Sequence, residues 1–473
     1  MVDRQAVLDN ARYLRGVRPV DPEEIHEYVA GQPHPAAVRR VLREAAYELG
    51  LSERDDGTFV PVNEEPVPVR GWAPDALPNR HERALLDLLV ERLGPDWHRG
   101  ETGDRLRSRL RDLKEDYYRQ QPVEYDETAA LAYAIYHLPD YWAVPGYVLD
   151  RVAERGLLSR RLRVLDVGAG VGGPALGLAD YLPDDAVVDY HAVEPSPAAD
   201  VFERLAEATP RTVRTTVHRT DVESFEFPGT YDLVLCANVL SELDDPVAVG
   251  ERCLDALAPD GSFVALAPAD RATSTGLREV ERALAPSGGD VSVYDPTHRL
   301  WPGAAPTDRC WSFDVGTELS VPAFQAKLDE AGGGGPERLP GDGTFVNTAV
   351  RFSYAVLRPD GTRRVDVRAS PERHARMAES DRHVTDRVDL LAAKLSHDLT
   401  DGADANPLYL VGDGSQAVDH YAVLTRASAL NRALADAPYA SVLAFENVLV
   451  LWNDDEAAYN LVVDGETVVD RVA

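Results

Sequence analysis

Four glycines fall within six positions, at 168, 170, 172 and 173, in the stretch RVLDVGAGVGG (residues 163–173). Strand-like residues lead into them, so a strand should end there in a turn that brings backbone amides against a ligand. The spacing alone leaves two ligands open. Gly168, Gly170 and Gly173 satisfy the dinucleotide pattern G-x-G-x-x-G. Gly168, Gly170 and Gly172 equally satisfy D-x-G-x-G-x-G, starting at Asp166. The neighbours decide between them. A carboxylate at Asp166 repels a pyrophosphate but suits the ammonium of a methionine moiety. Glu194 ends the next strand, where an acid can take both ribose hydroxyls. Asp221 follows a further strand and can accept from an adenine amino group, with the Val222 amide meeting the ring. Asn238 falls where a fourth strand opens toward a helix, beside the methionine end.

Positioning these groups requires a parallel sheet. From residue 161 to about 330, strand-like runs (RVLDVGAG, VVDYHAVEP, RTTVHRTDV, YDLVLCANVL, GSFVALAPA) alternate with helical ones. Such alternation predicts an α/β, doubly wound, Rossmann-like domain, placed at residues 157–368. Residues 1–62 read as three helices and a two-stranded wing. Asp21 caps the second helix, with Pro22 at its first position. Val38, Val41, Leu42 and Ala45 give the third an apolar stripe that ends at Gly50, and Asp56-Gly57 turns the hairpin. This resembles a winged-helix module whose third helix offers Arg39, Arg40 and Arg43 to phosphates. Residues 63–80 read as a Pro-rich linker. Residues 81–156 read as helices, the last broken at Pro139 and Pro145. Downstream, a hairpin about Asp360-Gly361 and a helix over residues 382–399 are expected. Residues 385–473 close the chain as an OB-like β domain, a barrel class that binds single-stranded nucleic acid.

Bulk properties narrow the setting. The 473 residues allow several domains. No apolar run is long enough to span a membrane, and the N-terminus lacks an apolar signal core. Cys236, Cys253 and Cys310 are odd in number and scattered, so no disulfide-linked partner is expected and a reducing cytoplasm fits. The net charge is −31, and only Lys114, Lys327 and Lys394 among the 49 basic residues are lysine. Acid excess with so little lysine reads as adaptation to a salt-rich, halophilic cytoplasm. At ~1 M salt the Debye length is ~3 Å, so local arginine contacts count for more than net charge.

Taken in order, the five strand-end segments resemble class I S-adenosylmethionine-dependent methyltransferases. The resemblance implies S-adenosylmethionine as cofactor, held by Asp166, Gly168, Ala169, Gly170, Gly172, Glu194, Asp221, Val222 and Asn238. Three segments narrow it: YAIYHLPDYWAVPGYVLDRV, YDLVLCANVLSEL and VYDPTHRLWPGAAPTDRCWSF. Over residues 120–360 they look like the small-ribosomal-subunit-associated methyltransferase-like family, whose mitochondrial members associate with the small subunit. This implies rRNA or the small ribosomal subunit as partner, and a role in small-subunit assembly or translation. It also implies an iron–sulfur cluster on a cysteine-rich segment. Here that segment reads Asp295, Pro296, Thr297, His298, then Cys310, Trp311, Ser312 and Phe313. One cysteine stands where about four thiolates would be needed, so no cluster is expected. The remaining readings are a single metal on Asp295, His298 and Cys310, or a loop ordered by Trp301, Trp311 and Phe313. Ala267-Pro268 also replaces the family's Glu-Pro pair.

Catalytic residues are harder to assign. Asn238-Val239-Leu240 lacks the Asn/Asp-Pro-Pro-aromatic signature of amino methylation. Cys236 lies near the strand end that carbon-5 chemistry would use, but within an apolar run that suits a small buried residue. Glu242 and His298 are the candidate bases. Three readings follow: a methyltransferase acting on small-subunit rRNA; a non-catalytic assembly factor that keeps the fold as an RNA-binding platform; and a small-molecule methyltransferase, which fits poorly with two flanking modules of nucleic-acid-binding type. The cysteine count makes one expectation direct. Purified protein should be colourless and free of stoichiometric iron or zinc by elemental analysis; one metal per chain would overturn it.

Overall fold

A computed structural model describes residues 2–119, 126–309, 311–332, 343–400, 402 and 405–473. They form two compact units, Met1–Ala237 with Gly316–Val350, and Asn238–Val315 with Arg351–Ala473. The division falls inside the segment 157–368 expected as one domain.

The first unit begins with helices Arg4–Leu14, Pro22–Tyr28, Pro35–Glu44 and the short Ala46–Leu49. Asp3 and Asp21 cap the first two by accepting from Ala6 N and Glu23 N. Gly50, at φ +61°, stops the last helix and releases the chain into strand β1 (Leu51–Glu53). β1 pairs antiparallel with β2 (Phe59–Pro61) around Gly57. Val7, Leu8, Ile25, Val38, Leu42 and Phe59 bury together beneath this hairpin. The segment at 63–80 carries no regular structure up to Asn79, yet it is pinned. Trp72 N donates to Asp150 at 2.6 Å and its indole donates to Ala143 O at 2.8 Å.

Helices Asn79–Leu93, Gly100–Tyr118 and Glu127–Ala153 follow. The last corrects an expectation. It runs unbroken for 27 residues with Pro139 and Pro145 inside it. An interior proline removes one helical donor and leaves a carbonyl bare. Here the missing donor comes from elsewhere: Gln325 Nε2 donates to Ile135 O at 2.9 Å and to Tyr136 O at 3.0 Å. Ile135 O is the acceptor that Pro139 would otherwise have satisfied. Burial on most of its faces holds the helix together where local propensity would break it.

Four strands form the unit's sheet: β3 (Arg161–Val167), β4 (Val187–Val193), β5 (Val213–His218) and β6 (Tyr231–Ala237). Their order is β5-β4-β3-β6, every pair parallel. The chain therefore winds outward from β3 to β5 and returns to β6 on the far side of β3. A crevice at such a reversal, at the carboxyl ends of the strands, is where open α/β sheets bind ligands.

In the second unit, β7 (Leu257–Pro268), β8 (Ser292–Asp295), β9 (Asp314–Val315) and β10 (Arg351–Arg358) make an antiparallel group. β10 pairs with β7, β8 and β9. The expected hairpin at Asp360-Gly361 turns but does not return as a strand. β10 is buried along nearly its whole length, and β7 and β8 already occupy its two edges. Then come β11 (Arg387–Lys394), β12 (Leu408–Gly412), β13 (His420–Leu424), β14 (Val442–Asn453), β15 (Ala458–Val463) and β16 (Val468–Arg471). The order β11-β12-β13-β15-β14 closes through β11–β14 into a five-stranded barrel. The helix expected over 382–399 is instead a 3-10 turn and β11. Its apolar run is continuous because both faces are buried. Leu390 and Ala392 enter one core, while Leu391 joins Leu300, Trp301 and Val442 in another. Among the described residues, no helix is long and apolar enough to cross a membrane.

Gln325 is fully buried. Gln325→Leu should lower unfolding free energy by about 2 kcal/mol, the cost of buried carbonyls left without donors. Denaturant unfolding checks this; an unchanged midpoint would show that the proline-containing helix needs no outside donor.

Candidate functional site

Asp166 lies one residue from the end of β3, paired in register with Ala192 and Leu235 on either side. The pairing buries it completely. Tyr190 Oη donates to Oδ2 at 2.6 Å, while Oδ1 has no partner among the described residues. Burial pushes the carboxyl up to about 7; the Tyr190 hydrogen bond opposes this and the Glu194 charge adds to it.

The turn that follows is left-handed at three glycines, with φ of +66° at Gly168, +53° at Gly170 and +89° at Gly172. Gly168 N and Ala169 N both donate to Val193 O, at 2.9 and 3.2 Å, which ties the turn to β4. The glycines then divide their duties. A Cβ on Gly170 would meet nothing within 4 Å, so open space faces the turn there. A Cβ on Gly172 would lie 2.4 Å from Phe202, and one on Gly173 2.8 Å from Tyr141 Cβ. Gly173, the third glycine of the dinucleotide spacing, therefore serves helix packing. Only the earlier glycines frame a cradle.

Glu194 directly follows β4. Its Oε2 accepts from Gly170 N at 2.8 Å and its Oε1 from Ser196 N at 2.9 Å. Each oxygen keeps a second lone pair for a ligand hydroxyl. Asp221 is exposed three positions beyond the end of β5, and Val222 beside it is buried. One edge of the parallel sheet thus carries Asp166, Gly168, Ala169, Gly170, Gly172, Glu194, Asp221 and Val222. Asn238 and Glu242 belong to the second unit. Asn238 has φ +59° and donates its amide to Leu266 O at 3.0 Å, and Glu242 is exposed.

His298 and Asp295 are sealed in the second unit. His298 is 1% exposed, its Nδ1 donates to Pro296 O at 2.9 Å, and its Nε2 lies 3.0 Å from Glu281. Glu281 also meets Arg278 and Arg299. Burial opposes its ionisation, but the charges of His298 and Arg278 hold its carboxyl well below the usual range. Asp295 accepts from the Tyr354 hydroxyl and, at 2.6 Å, from Arg364 Nε. Both side chains are committed to interior contacts rather than open to substrate. Cys310 lies outside the described residues. Of the aromatic residues in the same segment, Trp301 donates to Asp413 at 2.6 Å, Trp311 donates to Ala269 O at 3.0 Å, and Trp311 packs on Phe313. Among the described residues no three His, Cys, Asp or Glu side chains are grouped as a metal site. Cys236 is fully buried in β6.

The helix arginines are partly engaged. Arg43 forks onto Glu53 at 2.5 and 2.7 Å, Arg39 lies 3.8 Å from the same carboxylate, and Arg40 pairs with Glu44 at 2.8 Å. The Arg40 side chain is still 81% exposed. Sequence reading did not foresee the role of Tyr190, because its hydroxyl meets Asp166 only through the β3–β4 register.

A buried carboxylate with one bare oxygen suits a cationic, donor-rich ligand end. An acid bound to the turn at Gly170 suits a ribose. These residues fit S-adenosylmethionine. A model described as a methyltransferase domain matches residues 165–263. Models described as the N-terminal and C-terminal domains of a domain of unknown function, DUF8157, match residues 4–55 and 378–472. No curated protein matches. The chain is similar to the YcgJ protein of Bacillus subtilis at 26% identity, covering 23% of this chain and 44% of that one, with a TM-score of 0.20. It is similar at 15% identity to a S-adenosylmethionine-dependent methyltransferase from Clostridium acetobutylicum, covering 40% and 65%, with a TM-score of 0.23. A third is the plantazolicin methyltransferase BpumL in complex with SAH, at 14% identity, 59% and 95% coverage and a TM-score of 0.28. The chain spans 44% and 65% of the lengths of the first two. The methyltransferase-domain match covers the segment that carries the glycine turn, Asp166 and Glu194.

Asp166→Asn tests the cradle in two ways. The folded carboxyl, at about 7, holds its proton more tightly than the unfolded one, near 3.8. Stability from this group is therefore full below the unfolded value and is lost as pH rises from about 4 to 7. The amide escapes that loss. Its thermal midpoint should exceed wild type by several degrees at pH 8, with the gap narrowing by pH 5. Calorimetry should show cofactor affinity reduced at least about tenfold, one charge-assisted hydrogen bond being worth that much. A midpoint difference independent of pH would place the ionisation elsewhere.

Proposed function

We propose that the chain is a S-adenosylmethionine-dependent methyltransferase acting on small-subunit rRNA, working in ribosome assembly or translation in a salt-rich cytoplasm. The observation that carries the cofactor part is the open cradle at Gly170, flanked by Asp166 Oδ1 and the Glu194 carboxylate. When bound, the cofactor supplies an electrophilic methyl group. The chain's own residues bind and orient: Asp166 receives the cationic end, Glu194 the ribose, and Asp221 with Val222 the adenine. Methyl transfer needs alignment first and a base only where the acceptor holds its proton.

The RNA part is supported by the flanks. The barrel order, renumbered from its first strand, is 1-2-3-5-4-1, with helix Ala433–Asp436 between its third and fourth strands. We take this as an OB fold, a class that binds single strands. Three helices and the β1–β2 hairpin support a winged-helix reading of the N-terminal module, and Arg40 is the most open of Arg39, Arg40 and Arg43. One observation favours the second reading, a non-catalytic assembly factor: His298 is sealed against Glu281, which leaves exposed Glu242 as the remaining base candidate.

The test is calorimetry with S-adenosylmethionine at high salt, then methyl transfer to purified small-subunit RNA. Micromolar binding with incorporation into RNA is expected. No cofactor binding overturns the proposal. Binding without transfer to any RNA replaces it by the second reading. Replacing Arg39, Arg40 and Arg43 together by alanine should weaken RNA binding; unchanged affinity returns that module to packing.

A further inference from the structure

The parallel sheet has a second concave place, at the edge away from the cofactor cradle. Register builds it. Arg163 on β3, Asp189 on β4 and Arg214 on β5 stand side by side, so one carboxylate lies between two guanidiniums near the start of three strands. The N-terminal helices close over this edge. Arg161 Nε donates to Tyr47 O at 2.7 Å, and Arg214 Nη1 donates to Glu44 O at 2.7 Å. Glu44 ends helix Pro35–Glu44, where carbonyls lack helical partners.

Between these contacts lies a cavity of about 160 Å³. At about 30 Å³ per water it has room for roughly five waters, or for one tetrahedral oxyanion. Four of its lining residues are arginines: Arg4, Arg43, Arg211 and Arg214. Arg43 is committed to Glu53 in the fork described above. The other three are not balanced. Arg4 stands 3.4 Å from Glu48, a carboxylate that Arg12 holds at 2.5 Å. Arg214 shares Asp189 with Arg163, whose Nε lies 3.4 Å from it. Arg211, exposed before β5, has no ion pair or side-chain hydrogen bond among the described residues. Glu44, the remaining carboxylate of the lining, is taken by Arg40 at 2.8 Å. Surplus positive charge around one cavity runs against the composition of a chain with net charge −31.

The cavity is remote from the cradle. On β4 it is lined by Val187, Val188 and Asp189, which begin the strand, whereas Glu194 follows its last residue. From Val187 to Glu194 the strand covers about 23 Å at 3.3 Å per residue. A ligand in the cavity therefore meets neither Asp166 nor Glu194. It meets the N-terminal helices through Arg4 and the sheet through Arg211 and Arg214, and so bridges the two.

We propose that this cavity is a binding site for a small oxyanion of the phosphate class, held by Arg4, Arg211 and Arg214. The occupant follows from the lining. Guanidinium groups match the paired oxygens of a phosphate and keep their charge at any working pH. An apolar ligand would strip water from charged groups and return nothing. The volume suits a free ion or the end group of a monoester. The bound ion completes the contact between the N-terminal helices and the strands. This site is independent of the methyltransferase reading.

The test uses the full-length protein in chloride buffer of fixed ionic strength, with inorganic phosphate replacing part of the chloride. Wild type should bind phosphate saturably by calorimetry, and its thermal midpoint should rise as the site fills. Arg211→Gln should weaken phosphate binding about tenfold, the worth of one charge-assisted contact. In phosphate-free buffer it should melt at the wild-type temperature, since Arg211 has no other contact to lose. Arg211→Lys keeps the charge and should retain most of the affinity. Adding Arg4→Gln to Arg211→Gln should weaken phosphate further; the Arg4 pair it removes is half-exposed and worth little to the fold. Glycerol phosphate separates the sources: tighter binding than inorganic phosphate identifies a monoester as the ligand, and weaker binding the free ion. No saturable phosphate binding by wild type, or the same affinity in Arg211→Gln and in the double substitution, overturns the site. A midpoint shift that chloride alone reproduces at equal ionic strength overturns it as well, since that is general screening.

Discussion

Two helices of the first unit approach so closely that no side chain fits between them at two positions. Gly173 and Gly177 meet the backbone of the long helix at Tyr141 and Trp142. This contact sets much else. It fixes the start of helix Gly173–Tyr181, and with it the turn that frames the cradle. It requires the long helix to pass as one rigid rod, which is why two interior prolines must be accommodated. The donor missing at Pro139 comes from outside the helix, from Gln325 at Ile135 O, and Trp72 adds a further outside donor at Ala143 O. Gly146 belongs to the same arrangement, since a Cβ there would lie 2.4 Å from Trp72. A residue 190 positions away in sequence thus helps to keep the cradle's supporting helix intact.

The cradle itself is built at a cost to the fold. A carboxylate in the middle of a parallel sheet, between β4 and β6, would be better replaced by an apolar residue if stability were the only concern. Tyr190 satisfies one oxygen and leaves the other bare. The open side of Gly170 and the bare oxygen of Asp166 are the two departures from close packing on this edge. Departures of this kind concentrate where a ligand is meant to complete the structure.

How much of this was legible in the sequence depended on how local the cause was. The glycine turn, the caps at Asp21, the stop at Gly50 and the wing turn at Gly57 are set by residues within a few positions, and each forms as expected. Asp166 and Glu194 sit at strand ends because alternation of strand and helix places them there. What escaped reading is non-local. The proline helix survives through Gln325, which no window around Pro139 contains. β11 looks helical because both of its faces are buried, so the period-two signal vanishes. His298 reads as a free base, yet Glu281 in helix Arg271–Leu284 takes it up in an interior ion cluster. The motif type was visible, but its partner was not.

The same distinction bears on how an acidic chain could meet RNA. The arginines at 39, 40 and 43 look like a phosphate-binding row when read from their spacing. In the fold, Glu53 and Glu44 neutralise them in part, and Arg43 has both arms of its guanidinium on one carboxylate. A phosphate would have to compete with a carboxylate already in bidentate contact. Cation-rich contacts and base stacking are often found together in nucleic-acid sites. In this chain the carboxylates beside the helix arginines weaken the first, so any phosphate contact by that row would fall to Arg40, whose side chain stays 81% exposed beside Glu44.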